Sequence, residues 1–361
     1  MCEAPGDPRQ AAMTVPRPAE GAAVDPIALE PVDEIVVTTL VDNVFDALLP
    51  GDERVSRASF GVGPVQAPQF ETGATAAGLI AEHGFSVLVS VRRGTATTRL
   101  LFDTGLSPDA MVINAGRLGM DPSDVQAVIL SHGHFDHAGG LAGLAGRRGA
   151  RSLPMVVHPM IWTRRRQAVP GREPMEMPTL SRRALDGEGF TVIERREPSL
   201  LVDGSVLITG EVDRTTEFER GMPPAHQRWT GSAWEHDPLV IDDQALVVHV
   251  RDRGLVVVTG CGHSGVVNIV RHAQRLTGVP RLHALIGGFH LSGQAFEPII
   301  GSTVDALAGL APALVVPGHC TGWRAQHALA AAMPDAWVAG SSGSSFRLTA
   351  PTRNPEGPRT D

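Results

Sequence analysis

Three cysteines, Cys2, Cys261 and Cys320, are all that the 361 residues contain. So few, and so scattered, they exclude a disulfide framework and suit a reducing cytoplasm. Basic residues are not in excess either: 31 Lys and Arg against 39 Asp and Glu give a formal charge of −8. With no long block of one sign, a nucleic-acid footprint is excluded. No apolar run reaches the length of a membrane span. The opening MCEAPGDPRQ lacks the basic stretch and apolar core of a secretory signal. The expectation is a soluble, cytoplasmic protein whose partners are neither nucleic acid nor membrane; its oligomeric state is not legible.

A hydrophobic content of 42% is enough for one large domain or two modest ones. Residues 1–30, rich in Pro, Ala, Gly and acid without periodicity, read as a disordered leader, and 350–361 as a matching tail. Between them, β-rich runs recur: 34–41, 85–91, 98–105, 125–132, 154–159, 191–194, 205–211, 245–250, 254–261, 283–290 and 313–319. Helical spacing over 108–119, 265–278 and 323–333 is interspersed with them, so the fold class is α/β with helices covering sheets. The stretch 160–240, carrying Trp162, Trp229 and Trp234 with many Pro and Arg, reads as an insertion forming a lid or wall over a cleft, or else a surface loop or oligomer contact. Its arginines 164–166, 172, 182 and 183 read as a solvated face, with an anion contact as the alternative.

Several strands end in a loop holding a potential ligand: Asp103, His132, Cys261 with His263, His290 and His319. The densest is SHGHFDHAGG at 131–140. Imidazole and carboxylate are the usual protein ligands of zinc and related first-row ions. On a tight loop, His132 and His134 point toward one metal, while Asp136 and His137 project toward another. Gly133 gives the backbone freedom to turn, and Ala138-Gly139-Gly140 lets a following element approach closely.

His132-Gly133-His134-Phe135-Asp136-His137 resembles the HxHxDH signature of the metallo-β-lactamase superfamily. LFDTG (101–105) looks like its early strand-end aspartate. TGCGHSG (259–265), IGGFH (286–290), PGHCTG (317–322), ITGEVDRTTEFERG (208–221) and DDQALVV (242–248) are similar to a narrower subgroup. That subgroup is named for the dihydropteroate-synthase-like proteins of methanopterin biosynthesis, 7,8-dihydropterin-6-methyl-4-(β-D-ribofuranosyl)aminobenzene-5'-phosphate synthases. The resemblance runs over about 34–348. It implies an αββα sandwich over 31–349 with one or two divalent ions, zinc or alternatively iron or manganese, at a sheet edge. It implies ligation by His132, His134, Asp136, His137, His263 and His319, with Asp103 behind them. Where many relatives have Thr-Gly-Asp, this chain has Thr259-Gly260-Cys261, and the thiol either ligates or packs as a small hydrophobe.

The remaining histidines, carboxylates and Cys320 differ in sequence context. His290 reads as a substrate-binding or proton-transfer residue, and His158 as structural or cleft-lining. Asp242 and Asp243 either orient a histidine or sit in a turn. His83, His226, His236, His249, His272, His283 and His327 lack ligand spacing and read as ordinary, and Cys320 as packed.

A divalent ion at such a site lowers the pKa of bound water to about 7 and supplies hydroxide, with Asp136 as the catalytic residue that holds the water or accepts a proton. The expected function is metal-dependent hydrolysis of an ester, phosphoester or lactone-like bond in a small molecule, phosphorylated or not. The alternative is a pterin transferase releasing diphosphate. A non-catalytic metal or ligand sensor would be signalled by broken ligands, and the HxHxDH set is whole.

Overall fold

The computed structural model describes residues 25–59, 63–147 and 151–352, together with a two-residue strand at Met13–Thr14. Two large sheets dominate. The first has eight strands in the order Phe190–Glu194, Leu153–Val157, Ala127–Ile129, Ala96–Phe102, Ser86–Arg93, Glu34–Val41, Ser345–Thr349 and Val55–Ser56. The second has seven: Met13–Thr14, Ser199–Leu201, Val206–Ile208, Leu246–Val250, Gly254–Thr259, Leu282–Gly288 and Leu314–Gly318.

Alternation along the strands sorts their side chains into layers. Val256 and Val258 face the first sheet, meeting Val87, Val89 and Phe102 in a shared core. Their neighbours Leu255 and Val257 point outward, under helices Val266–Thr277, Ile300–Gly309 and Trp323–Ala332. Across the molecule Leu101, Val128 and Leu130 pack beneath helices Ala110–Arg117 and Leu141–Arg147 and against Leu185 of helix Arg182–Gly187. Helix, sheet, sheet and helix make the αββα sandwich. Helix Ile300–Gly309 was not singled out in the sequence, although Ile300, Val304 and Leu307 carry the spacing. No helix among the described residues is long and apolar enough to cross a membrane.

The boundaries differ from expectation at both ends. Ile27 and Leu29 are buried against the second sheet's helices, and the Ile27 amide donates to Leu276 O at 2.7 Å. Packing therefore begins within the expected leader; residues 1–24, Met13–Thr14 apart, lie outside the described residues. Of the expected tail, Ala350 still donates to Asp33 O, and 353–361 lie outside the described residues.

The stretch 160–240 is divided. Phe190–Glu194 and Val206–Ile208 run in the two main sheets, while Met175–Glu176, Arg165–Gln167, His226–Trp229 and Trp234–His236 form a separate four-stranded flap sheet. Arg164 and Arg166 lie over Trp234 on that flap.

Parallel pairing gathers the chemistry. Ala96–Phe102, Ala127–Ile129 and Leu153–Val157 are parallel neighbours, and so are Gly254–Thr259, Leu282–Gly288 and Leu314–Gly318. Their C-terminal loops therefore leave at one edge of each sheet, which brings positions 103, 131–137, 261–263, 290 and 319 together.

Candidate metal centre

Asp103 is the buried root of the site. Its Oδ1 accepts the Ser131 amide at 2.7 Å, and Oδ2 accepts the Ser131 hydroxyl and His137 Nδ1, each at 2.7 Å. With its proton committed to Asp103, the Ser131 hydroxyl accepts from His132 Nδ1 at 2.9 Å. The Nε2 of His132 is then the nitrogen without hydrogen, and it faces inward.

A second chain of bonds fixes His134. The carbonyl of Asp237 takes a hydrogen from His226 Nδ1 at 3.1 Å, so His226 Nε2 accepts from His134 Nε2 at 3.0 Å. His134 therefore turns a hydrogen-free Nδ1 toward His132 Nε2 at 2.9 Å and toward His263 Nε2 at 3.1 Å. Burial holds His132, His134 and His263 well below the ordinary imidazole pKa, and neighbouring positive charge adds to it, so the rings are neutral. Lone pairs on His132 and His134 that meet at this distance repel unless a cation lies between them. The donor set thus fits a divalent metal.

Beside this trio lies a second group: Asp136, His137, Cys261 and His319, whose donor atoms fall within 4.8 Å of one another. Asp136 Oδ2 is 3.4 Å from His319 Nε2 and 3.8 Å from His137 Nε2. Burial opposes the charge on both Asp136 and His137. Even so, His137 and His319 hold the carboxylate below its usual range, while Asp103 and Asp136 push His137 up to about 9. His319 gives its Nδ1 hydrogen to Asn43 Oδ1 at 3.2 Å, and its buried Nε2 has no hydrogen-bond partner. An unpartnered inward nitrogen beside a carboxylate again fits a cation.

Cys261 Sγ stands 3.2 Å from His137 Nε2 and belongs also to a group with His132 and His263, so it lies between the two sets. Burial pushes its thiol pKa up. Cys320 Sγ donates to Cys261 O at 3.3 Å, and Cys261, Cys320 and His290 make a third set within the same reach. The His290 ring lies 4.2 Å from that of His263, and its Nδ1 is buried without a partner. Three of these residues, Asp103, His290 and His319, have left-handed backbone, with φ of 58°, 46° and 48°.

The flap is built into the site. Buried Arg165 pairs with Asp237 at 2.9 Å and with Asp242, and Asp242 Oδ2 accepts the amide of Gly133 at 2.8 Å. Arg165 is thus a buried strut of the loop 131–137, neither solvated nor anion-binding. The expected role of Gly133 also changes. A Cβ there would come within 2.5 Å of Ile161 O, so glycine is required for close approach rather than for turning. Gly139 permits a close approach too, but of a preceding segment rather than a following one: a Cβ would stand 1.7 Å from Leu106 O.

Asp242 and Asp243 orient backbone, not rings; Asp243 Oδ2 takes the Ser264 amide at 2.8 Å. His158 is structural, accepting from Met160 N and contacting Glu211. Two histidines that read as ordinary in the sequence support the site. His226 abuts His134, and His83 stacks 4.9 Å from the His319 ring and lines the cleft over Asp136. Asp42, likewise missed, accepts the His319 amide at 2.7 Å; its place at the end of strand Glu34–Val41 was the available signal. The cleft, about 230 Å³, is lined from the flap segment by Gln167, Met175, Met177 and Met222.

Comparison with known proteins agrees with this architecture. The model of the metallo-β-lactamase superfamily matches residues 81–274. A Methanocaldococcus jannaschii protein named 7,8-dihydropterin-6-methyl-4-(β-D-ribofuranosyl)-aminobenzene-5'-phosphate synthase is 31% identical over 252 residues, 68% of this chain and 83% of its own. An uncharacterized protein of the same organism is 27% identical over 248 residues, covering 68% and 86%. The crystal structure of Tm1679, described as a metal-dependent hydrolase of the β-lactamase superfamily, is 25% identical with a TM-score of 0.64, covering 87% of this chain and 99% of that one. With its sandwich, its edge site and these matches, the chain belongs to the metallo-β-lactamase superfamily.

Proposed function

We propose that this chain is a metal-dependent hydrolase of an ester, phosphoester or lactone-like bond in a small molecule. The observation that carries the reading is the pair of hydrogen-free nitrogens of His132 and His134, 2.9 Å apart, with His263 completing the trio. The likeness to Tm1679 supports it. A divalent ion, zinc or else iron or manganese, would supply a Lewis acid and bring the pKa of a coordinated water down to about 7. His132, His134 and His263 would hold one ion, and Asp136, His137 and His319 a second, with Cys261 between them.

The chain contains neither lysine nor tyrosine, so proton handling falls to histidine and carboxylate. Asp136 is ionised and reaches the cleft; with its own metal position empty it would orient an attacking water and accept the proton. His83 and His290, both lining the cleft, stand where a leaving group would be protonated. Free, buried thiols at Cys261 and Cys320 suit a reducing cytoplasm.

A second reading, pterin transfer with loss of diphosphate, is favoured by the 31% identical relative named a synthase. Diphosphate calls for clustered cationic side chains. Among the residues lining the cleft and the cavity beside it, Arg220 is the one guanidinium, so hydrolysis leads.

The test is elemental analysis of metal per chain, then turnover of p-nitrophenyl acetate and bis(p-nitrophenyl) phosphate with and without chelator. About two metals per chain with chelator-sensitive turnover is expected. Metal without turnover of either probe moves the assignment to the transferase, and no metal after reconstitution ends both readings.

A further inference from the structure

A larger cavity, about 530 Å³, opens beside the centre between residues 217–221, the loop 262–265 and residues 289–302. That volume lies within the usual range for small-molecule sites and exceeds what a reacting bond alone requires. Phe289 and Leu291, each 2% exposed, form part of its wall with the half-buried Phe218, Phe296 and Ile299.

Of the charged residues lining the cavity, Glu217 and Arg220 are exposed and Glu219 is buried. Both carboxylate oxygens of Glu219 accept amides at the start of helix Val266–Thr277, from Val267 and Asn268 at 2.9 Å, and Arg220 Nε is bonded to Glu217 O. His263 and His290 line both this cavity and the cleft over Asp136, which makes them the junction between the two. His290 Nδ1 is buried without a hydrogen-bond partner, and Phe296 stands edge-on to the ring at 4.5 Å.

We propose that this cavity binds an uncharged, apolar acyl or aryl arm of the substrate, with His290 hydrogen-bonding the polar group where that arm joins the reacting bond. The proposal rests on the hydrolase reading for the position of that bond. It assigns the substrate as an apolar ester-type compound rather than one with a phosphorylated tail.

The experiment uses single-armed metal binders. Acetohydroxamate, hexanohydroxamate and phenylacetohydroxamate are titrated calorimetrically into metal-loaded protein, and the neutral naphthalene dye prodan into metal-stripped protein by fluorescence. Each buried methylene strengthens binding about three- to fourfold, so hexanohydroxamate should bind on the order of 100-fold more tightly than acetohydroxamate. Which of the hexano and phenylaceto compounds gains more separates alkyl from aryl.

Ile299→Trp should fill the cavity, flatten the series and displace prodan. Ser302→Trp does the same from the exposed helix surface should the first variant misfold. A flat series in the unmodified protein, or prodan binding untouched by both variants, overturns the proposal. Failure of hydroxamates to bind while prodan binds and is displaced counts against the metal reading and leaves the apolar cavity standing. Chain-length dependence without ester turnover upholds the cavity and refutes hydrolysis.

Discussion

Replacing His226 by Phe tests whether the flap sets the chemistry of the metal loop. The phenyl ring is a somewhat larger aromatic and offers no acceptor to His134 Nε2, which now stands 3.0 Å from His226 Nε2. That N–H is buried, and leaving it unsatisfied costs about 1–3 kcal/mol. The ring escapes the cost by moving its hydrogen to Nδ1, the atom that faces His132 and His263, and a metal then loses a ligand. Removing such an outer partner typically weakens metal binding by about 10–100-fold, and the two magnitudes agree, since tenfold is about 1.4 kcal/mol. Zinc affinity measured by competition with a chromophoric chelator should fall by that factor in His226→Phe. His226→Gln, whose amide oxygen can accept, should recover most of it, with thermal melting as a control for folding. Unchanged affinity in the Phe variant refutes the reasoning, as does an equal loss in both variants, which would mean that only packing was disturbed.

Asp103→Asn keeps the size of the side chain and a residue type tolerant of left-handed backbone, but removes the charge behind His137 and Ser131; metal analysis should show one ion lost per chain and the remainder bound at least tenfold more weakly. Gly139→Ala drives a methyl to 1.7 Å from Leu106 O, and the thermal midpoint should fall by an amount equivalent to about 3 kcal/mol or more. His283 is pushed down to about 4 from 6.5 by burial first and by Arg253 and Arg281 second. Because its folded pKa is depressed, its contribution is intact above 6.5 and is lost as pH falls toward 4. Urea unfolding of metal-stripped His283→Leu should therefore lose about 2–3 kcal/mol less between pH 7.5 and pH 4.5 than the unmodified protein; equal losses would remove His283 from the account.

Much of the site was legible because its chemistry is local. His132, His134, Asp136 and His137 share one turn after a recognisable strand, and Cys261, His263, His290 and His319 each follow an apolar run of the same kind. The supports were not legible where they act across the chain. His226 meets His134 from 92 positions away, and its strand, HQRW, has no apolar alternation to announce it. Asp42 reaches His319 across 277 positions. Arg165 looked like its neighbours Arg164 and Arg166, yet strand alternation turns it inward and leaves them on the flap's tryptophans. The α/β layering was legible from period and strand spacing and the sandwich from the resemblance carried by the HxHxDH stretch, whereas the flap's strands of two to four residues are too short to show a period.

Asp103, His290 and His319 each leave their strand through a left-handed turn. A side chain held there costs about 1–2 kcal/mol relative to glycine. The three turns together are a standing load on the fold, and each turns its side chain into the candidate centre. Glycine at 319 should melt higher and bind metal less well. Selection of variants for heat resistance alone would therefore drift toward inert proteins, with the centre as the first part to be lost.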